Sequence, residues 1–225
     1  MADKFERFVA AYLRLNGYFT VPNFIVHAGG DPTRISGGLV GNYTEVDTIG
    51  LRMPYSREVT GSKQIVNHTV LVDGADRKAD VVIVEVKSGN DSTPNRVWKA
   101  PQPDPAISYL VRFIGLHAEA EIGPVAHALA STFRFEDDRC RIRYVMFSRE
   151  ANAHYQQRGV TYITFDEAIS FIVEVRGQSW FSAGIGVASL HNQWDELLIQ
   201  VFAIANQLEM PVSERVDEIR SMLAT

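Results

Sequence analysis

The stretch Asp80-Val81-Val82-Ile83-Val84-Glu85-Val86-Lys87-Ser88-Gly89 decides how the rest of the chain reads. Five of its residues are Val or Ile, and Ser-Gly closes it. Such a run predicts a buried β-strand with a continuous apolar centre rather than a half-wet alternation. Side chains alternate along a strand, so Ile83, Glu85 and Lys87 share one face and Val82, Val84 and Val86 the other. An acid and a base therefore leave the same face at the end of a strand whose centre belongs in the core. Charges there are costly unless paired, hydrogen-bonded or bound to metal. Two readings stand at this point: a Glu-Lys pair fraying into solvent, or part of a site.

The chain has 225 residues, 46% hydrophobic and 22% charged, which suits one medium globular domain or a domain with an appendage. It contains no apolar run of about 18 residues, so no membrane span is expected. The start, Met-Ala-Asp-Lys-Phe-Glu, lacks the apolar block of a signal peptide. A single cysteine, Cys140, excludes an internal disulfide framework and a Cys-rich zinc site, and the expected location is a reducing cytoplasm. Net charge is −5. Residues 166–225 hold nine Asp and Glu against three Lys and Arg, whereas residues 1–165 hold eighteen against nineteen. The acidic excess is C-terminal, so a DNA-facing surface on the remainder is allowed but not demanded.

Upstream of the decisive strand, Thr44–Arg52 reads as another, with Glu45, Asp47, Ile49 and Leu51 on one face. A carboxylate in such an apolar row is uncommon. Residues 4–16 predict a helix with Phe5, Phe8, Val9, Tyr12 and Leu13 on its apolar stripe, Asp3 as cap and Gly17 as stop. Glu6 sits at the border of that stripe, where an ordinary rim carboxylate is the alternative to a functional one. Gly17–Val26 reads as a strand. The glycine-rich stretch 27–42 reads as a mobile loop that fits no phosphate-binding pattern. Residues 53–79 form a turn-rich insertion with one strand from Gln64 to Val72, ending at Asp73-Gly74.

Downstream, Trp98 with Arg96 and Lys99 is expected to pack half-buried on the next helix, contact with nucleic acid being the alternative. Asp104-Pro105 starts a helix, and another runs from Pro124 to about Phe133. Strands follow at 141–148 and 160–165, then a helix over Ala168–Val175 capped by Asp166. The tail from about Leu190 to Leu223 reads as two helices after a glycine-rich break at 182–189. The six histidines show no ligand spacing and read as structural, and Cys140 has no evident His or Asp partner nearby in sequence. Sheet in the middle with helices around it makes the chain α/β.

Glu6 on a helix, Asp47 on a strand and Glu85-Val86-Lys87 ending a later strand, in that order, resemble the PD-(D/E)xK nuclease superfamily, which has the restriction-endonuclease-like fold. The resemblance covers residues 4–175, with Val46 where the pattern has proline. It implies a nuclease-like domain at 1–175 with a mixed central sheet, an insertion at 53–79, and an acidic helical extension at 176–225. It further implies Mg²⁺, with Mn²⁺ as a substitute, held by Asp47, Glu85 and the Val86 carbonyl. Lys87 would assist the attacking water or offset charge on the phosphorane, and Glu6 would tie down Lys87 or bind metal through water. Hard oxygen donors suit Mg²⁺, and such an ion activates water and binds a phosphodiester. Asp80 competes with Asp47, but about 16 Å of extended chain separates it from Glu85. Gln102 occupies the place of a minor polar helper. The expected function is phosphodiester hydrolysis, in DNA before RNA, without membrane association. Fold analogy allows a homodimer or protein partner through the C-terminal helices. The alternative is a catalytically silent domain serving DNA binding or assembly.

Overall fold

The stretch Val81–Val86 lies in a six-stranded mixed sheet whose two faces gather separate apolar clusters. Val82 and Val84 enter one cluster and Val81 and Ile83 the other, as a strand covered on both faces requires. The structure, a computed structural model, describes residues 3–26, 44–60, 62–72, 77–99, 103–182 and 196–224. The expected loop at 27–42, the Asp73-Gly74 turn, Gln102 and the break beyond residue 182 lie outside the described residues.

In chain order the elements are α1 (Lys4–Leu15), β1 (Phe19–Val26), β2 (Thr44–Arg52), β3 (Val59–Thr60), β4 (Lys63–Gln64), β5 (Ala79–Lys87) and α2 (Arg96–Lys99). Next come α3 (Pro105–Ile114), α4 (Glu119–Thr132), β6 (Arg134–Glu136), β7 (Cys140–Ser148), α5 (Ala153–Gln157), β8 (Thr161–Thr164) and α6 (Phe165–Ser170). A wider π-helical turn, Phe171–Arg176, joins α6 to α7 (Gly177–Ser182), and α8 (Glu196–Ala205) and α9 (Val212–Ala224) complete the chain. The sheet runs β1-β2-β5-β7-β6, and β8 pairs with the C-terminal half of β7 while β6 pairs with its N-terminal half. β1, β2 and β5 are antiparallel neighbours, whereas β5, β7 and β8 are parallel. On one face α1, α6, α8 and α9 supply Phe8, Leu13, Ile169, Val201 and Ile219 against Val84 and Phe147. On the other, α3 and α4 supply Ile107, Leu110 and Leu129 against Ile83 and Tyr144.

Several boundaries differ from the expectations. Of the Gln64–Val72 segment only Gln64 is paired, opposite Val59; its buried Ile65 and Leu71 anchor irregular backbone instead. The helix expected from Pro124 begins at Glu119, because Glu121 Oε2 accepts the Ala118 N–H at 2.8 Å and fixes an earlier start. Pro124 then sits in the second turn, where it forfeits one intrahelical bond. Thr164, not Asp166, caps α6: its Oγ1 accepts the Glu167 N–H at 3.1 Å. In β2 the alternation breaks, since Val46 packs in the same cluster as Ile49. The break faces β1 between the pairs Phe24–Val46 and Pro22–Thr48, and there Asn23 takes a φ of 52°. Asn tolerates that left-handed conformation, and the distortion re-aims the side chain of Asp47.

Candidate functional site

The β2–β5 ladder ends at the Thr48–Val84 pair. Beyond it the Asp47 carboxylate takes up the next β5 donor, its Oδ2 accepting the Val86 N–H at 2.6 Å. Asp47 is thereby fixed at the carboxyl end of β5, beside Glu85 and Lys87. No hydrogen bond among the described residues reaches Asp47 Oδ1, which stays available.

Glu85 is 4% exposed, so its charge needs partners. Its Oε2 accepts the Asn95 backbone N–H at 3.0 Å and a short hydrogen bond from the Tyr144 hydroxyl. Its Oε1 faces the Lys87 ammonium at 2.6 Å. The lysine is held from its other side by Asn95 Oδ1, to which Nζ donates at 3.0 Å. Asn95 therefore grips both charges, one through its backbone and one through its side chain. Tyr144 comes from β7, where its ring packs tilted against Trp98 at 4.3 Å between centroids. Trp98 itself is buried, not half-exposed, and faces the core rather than a nucleic acid.

Glu6 stands on α1 at the rim. Its Oε2 accepts the Asp3 N–H at 3.1 Å, so it caps its own helix. It does not tie down Lys87, whose partners among the described residues are Glu85 and Asn95. Its charge is nevertheless felt at Asp47.

The electrostatics follow from burial and crowding. Burial pushes the Asp47 carboxyl up to about 6; the Val86 N–H opposes this, while Glu6 and Glu85 add to it and Lys87 opposes it. Glu85 is likewise raised, by burial against the counter-pull of Lys87 and the Asn95 N–H. Glu6 is raised by burial, against the pull of the Asp3 N–H, with the Asp3 and Glu45 charges adding to the rise. Acids crowded in a desolvated place are the setting in which a cation lowers the energy of all of them. The crevice lined by Glu45, Asp47, Glu85, Asn95 and Tyr144 has about 10 Å³ of free volume, room for one water or ion. A wider crevice of about 510 Å³ is lined by Phe5, Arg149, Glu150, Asp166, Asp217 and Arg220, and two of its acids, Asp166 and Asp217, are paired with Arg220.

Asp80 is excluded from this site by its surroundings. At the other end of β5 it is buried against Arg141 Nε at 2.9 Å and Arg143 at 2.8 Å, with the Tyr18 hydroxyl donating a short bond. Burial raises its carboxyl, but the two guanidinium groups outweigh that and hold it below the ordinary carboxylate range. It is a structural anchor.

Asn95 and Tyr144 escaped the sequence reading. Asn95 lies in a loop without periodicity, and Tyr144 reads as one more aromatic in a buried strand. The sequence reading also missed the company of Cys140. His117 Nε2 lies 3.8 Å from its Sγ and 3.5 Å from Asp137 Oδ2. Burial and Asp137 push the thiol up to about 12, which removes it as a nucleophile.

No family model, curated protein or solved structure matches the chain. Among the described residues no helix is long and apolar enough to cross a membrane.

Proposed function

We propose that the chain is a metal-dependent nuclease of restriction-endonuclease-like fold, hydrolysing phosphodiester bonds in DNA. The observation that carries this reading is the convergence of Asp47 and Glu85, from neighbouring strands, on one crevice beside Lys87, with both carboxyls raised above their ordinary range.

The residues fit a hard divalent cation. Asp47 offers Oδ1, Glu85 offers Oε1, and the Val86 carbonyl is a third oxygen donor of the kind Mg²⁺ prefers. The ion would supply Lewis acidity toward the phosphate and a more acidic water. Asp47 is positioned for its part by the Val86 N–H, and Glu85 by Asn95 and Tyr144. Lys87 neutralises Glu85 when no ion does so. A cation at Glu85 Oε1 would free the ammonium, still tethered by Asn95, to meet an attacking water or the charge on the phosphate. Lys99, which acts electrostatically on Glu85, and Arg149, whose Nε donates to the Ser88 carbonyl at 2.9 Å, add positive charge nearby for an anionic chain.

The test is Mn²⁺ binding by calorimetry together with cleavage of duplex DNA, single-stranded DNA and RNA. Binding that disappears in Asp47→Asn, with cleavage of a DNA substrate, supports the reading. Binding through Asp47 with no cleavage of any substrate would move the assignment to a silent, DNA-binding or assembly domain. Absence of both would remove the metal site as well.

A further inference from the structure

His117, Asp137 and Cys140 come from two places in the chain. His117 lies in the connection between α3 and α4; Asp137 and Cys140 bracket the turn between β6 and β7. Their donor atoms, one from each residue, all lie within 4.8 Å of one another. The His117 side chain is fully buried and that of Asp137 is 20% exposed. Cys140 is fully buried.

The imidazole–carboxylate spacing is too long for a hydrogen bond, and both imidazole contacts lie close to the separations of a coordinated ion. His117 Nε2 is 3.5 Å from Asp137 Oδ2 and 3.8 Å from Cys140 Sγ. An N–H···O bond closes to about 2.7–3.2 Å, so the first contact falls short of one. The contact to sulfur is at the long end of a weak hydrogen bond. Bonds of about 2.3 Å to sulfur and about 2.05 Å to nitrogen or oxygen, opened to the tetrahedral angle, separate sulfur from nitrogen by about 3.5 Å and nitrogen from oxygen by about 3.4 Å. The observed separations lie near those edges. On the far side of the ring, His117 Nδ1 is buried with no hydrogen-bond partner among the described residues. The ring is held by the edge-to-face contact with Phe135, at 5.2 Å between centroids, together with the Nε2 cluster.

The geometry points to a zinc-class cation site formed by His117 Nε2, Asp137 Oδ2 and Cys140 Sγ. Thiolate, imidazole and carboxylate together select a borderline ion such as Zn²⁺ over Mg²⁺. On binding, the thiol releases its proton to solvent, and one thiolate plus one carboxylate neutralise the dication. Arg139 approaches the same Asp137 Oδ2 through both Nε and Nη2 at 3.1 Å and is shared with Glu121, so an ion would compete with this guanidinium for that oxygen. The turn itself is pre-shaped, since Asp137 Oδ1 accepts the N–H groups of Arg139 and Cys140 at 2.9 and 2.8 Å. The partly exposed side of Asp137 gives the ion a path in and a place for a water as fourth ligand. The ion would clasp the α3–α4 connection to the β6–β7 turn. Cys140 pairs with Ala79, six residues up β5 from Glu85, so this centre lies about 20 Å from the carboxylate crevice and is independent of it.

The test is titration of the reduced, chelator-stripped full chain with Co²⁺, without nucleic acid or Mg²⁺. One equivalent should bring thiolate-to-cobalt charge transfer in the near ultraviolet and the strong visible bands of tetrahedral Co²⁺, both erased by Zn²⁺. The Asp47–Glu85 crevice holds only oxygen donors and cannot give that charge transfer. Cys140→Ser should lose it, and His117→Gln should weaken Co²⁺ binding at least about tenfold. Should Cys140→Ser fail to fold by circular dichroism, His117→Gln and Asp137→Asn carry the test. Zn²⁺ should also raise the thermal midpoint of the native chain but not that of His117→Gln. Absence of charge transfer in the native chain, or unchanged Co²⁺ affinity in His117→Gln and Asp137→Asn, overturns the site.

Discussion

Burial holds the Asp47 carboxyl up near 6, and the sign of its pH dependence follows from that. An acid whose folded pKa exceeds its unfolded value of about 3.9 costs nothing when both states are protonated. The cost of its charge grows as pH rises through that window and is complete above about 6. Asp47→Asn should therefore unfold at higher urea than the native chain at pH 7.5, by on the order of 1 kcal/mol after discounting for solvent, and show no gain at pH 4. The same raised carboxyl predicts that Mn²⁺ binding at the proposed site, read by calorimetry, should weaken below about pH 6. Tyr144→Phe removes a donor from buried Glu85 and should cost about 1–2 kcal/mol in the same urea measurement. Period-two alternation made Glu85 and Lys87 legible as neighbours on one face. It could not reveal that Asn95 and Tyr144 hold them, because those contacts are set by how a loop and the neighbouring strand fold back.

At the scale of the elements, the sheet is anchored by a buried charge network and by close backbone approach. Asp80 on β5 meets Arg141 and Arg143 on β7, all three buried. Replacing Asp80 by Ala strands two guanidinium groups and should cost about 3–5 kcal/mol in denaturant unfolding at pH 7. Since its folded pKa is depressed, the network's contribution is present above about pH 3.9 and is lost as pH falls through the folded value. Gly159 has a φ of 108°, and a Cβ there would lie 2.1 Å from the Thr132 carbonyl oxygen. Gly159→Ala should lower stability by about 3 kcal/mol. The Val/Ile runs of β5 and β7 and the Asp104-Pro105 start of α3 were legible because composition and cap agree with the packing. β6 was not, since Arg-Phe-Glu carries no periodic signal and pairs only because β7 offers an edge. The Gln64–Val72 segment misled because Ile65 and Leu71 are buried as anchors of a loop.

For the whole molecule, the C-terminal helices share the cluster that covers α1. Leu198, Val201, Phe202, Ile219 and Leu223 are buried there with Phe5, Phe8 and Tyr12. Each such side chain is worth about 1.5–3 kcal/mol, so together they rival the net stability of an ordinary domain, about 5–15 kcal/mol. A chain ending at residue 175 should lose its cooperative thermal transition. The acidic excess of this segment was readable from composition; its place in the core rests on the apolar faces of α8 and α9. α1 also carries Glu6 to the rim of the carboxylate crevice, so the packing that stabilises the chain also frames its candidate centre. The measurement that tests the central claim most directly is nicking of supercoiled plasmid in Mg²⁺ by the native chain, Asp47→Asn and Lys87→Ala. The account predicts metal-dependent nicking by the native chain and at least a hundredfold loss, about 2.7 kcal/mol, in each variant. Nicking that persists undiminished in both variants, or none by the native chain, would contradict it.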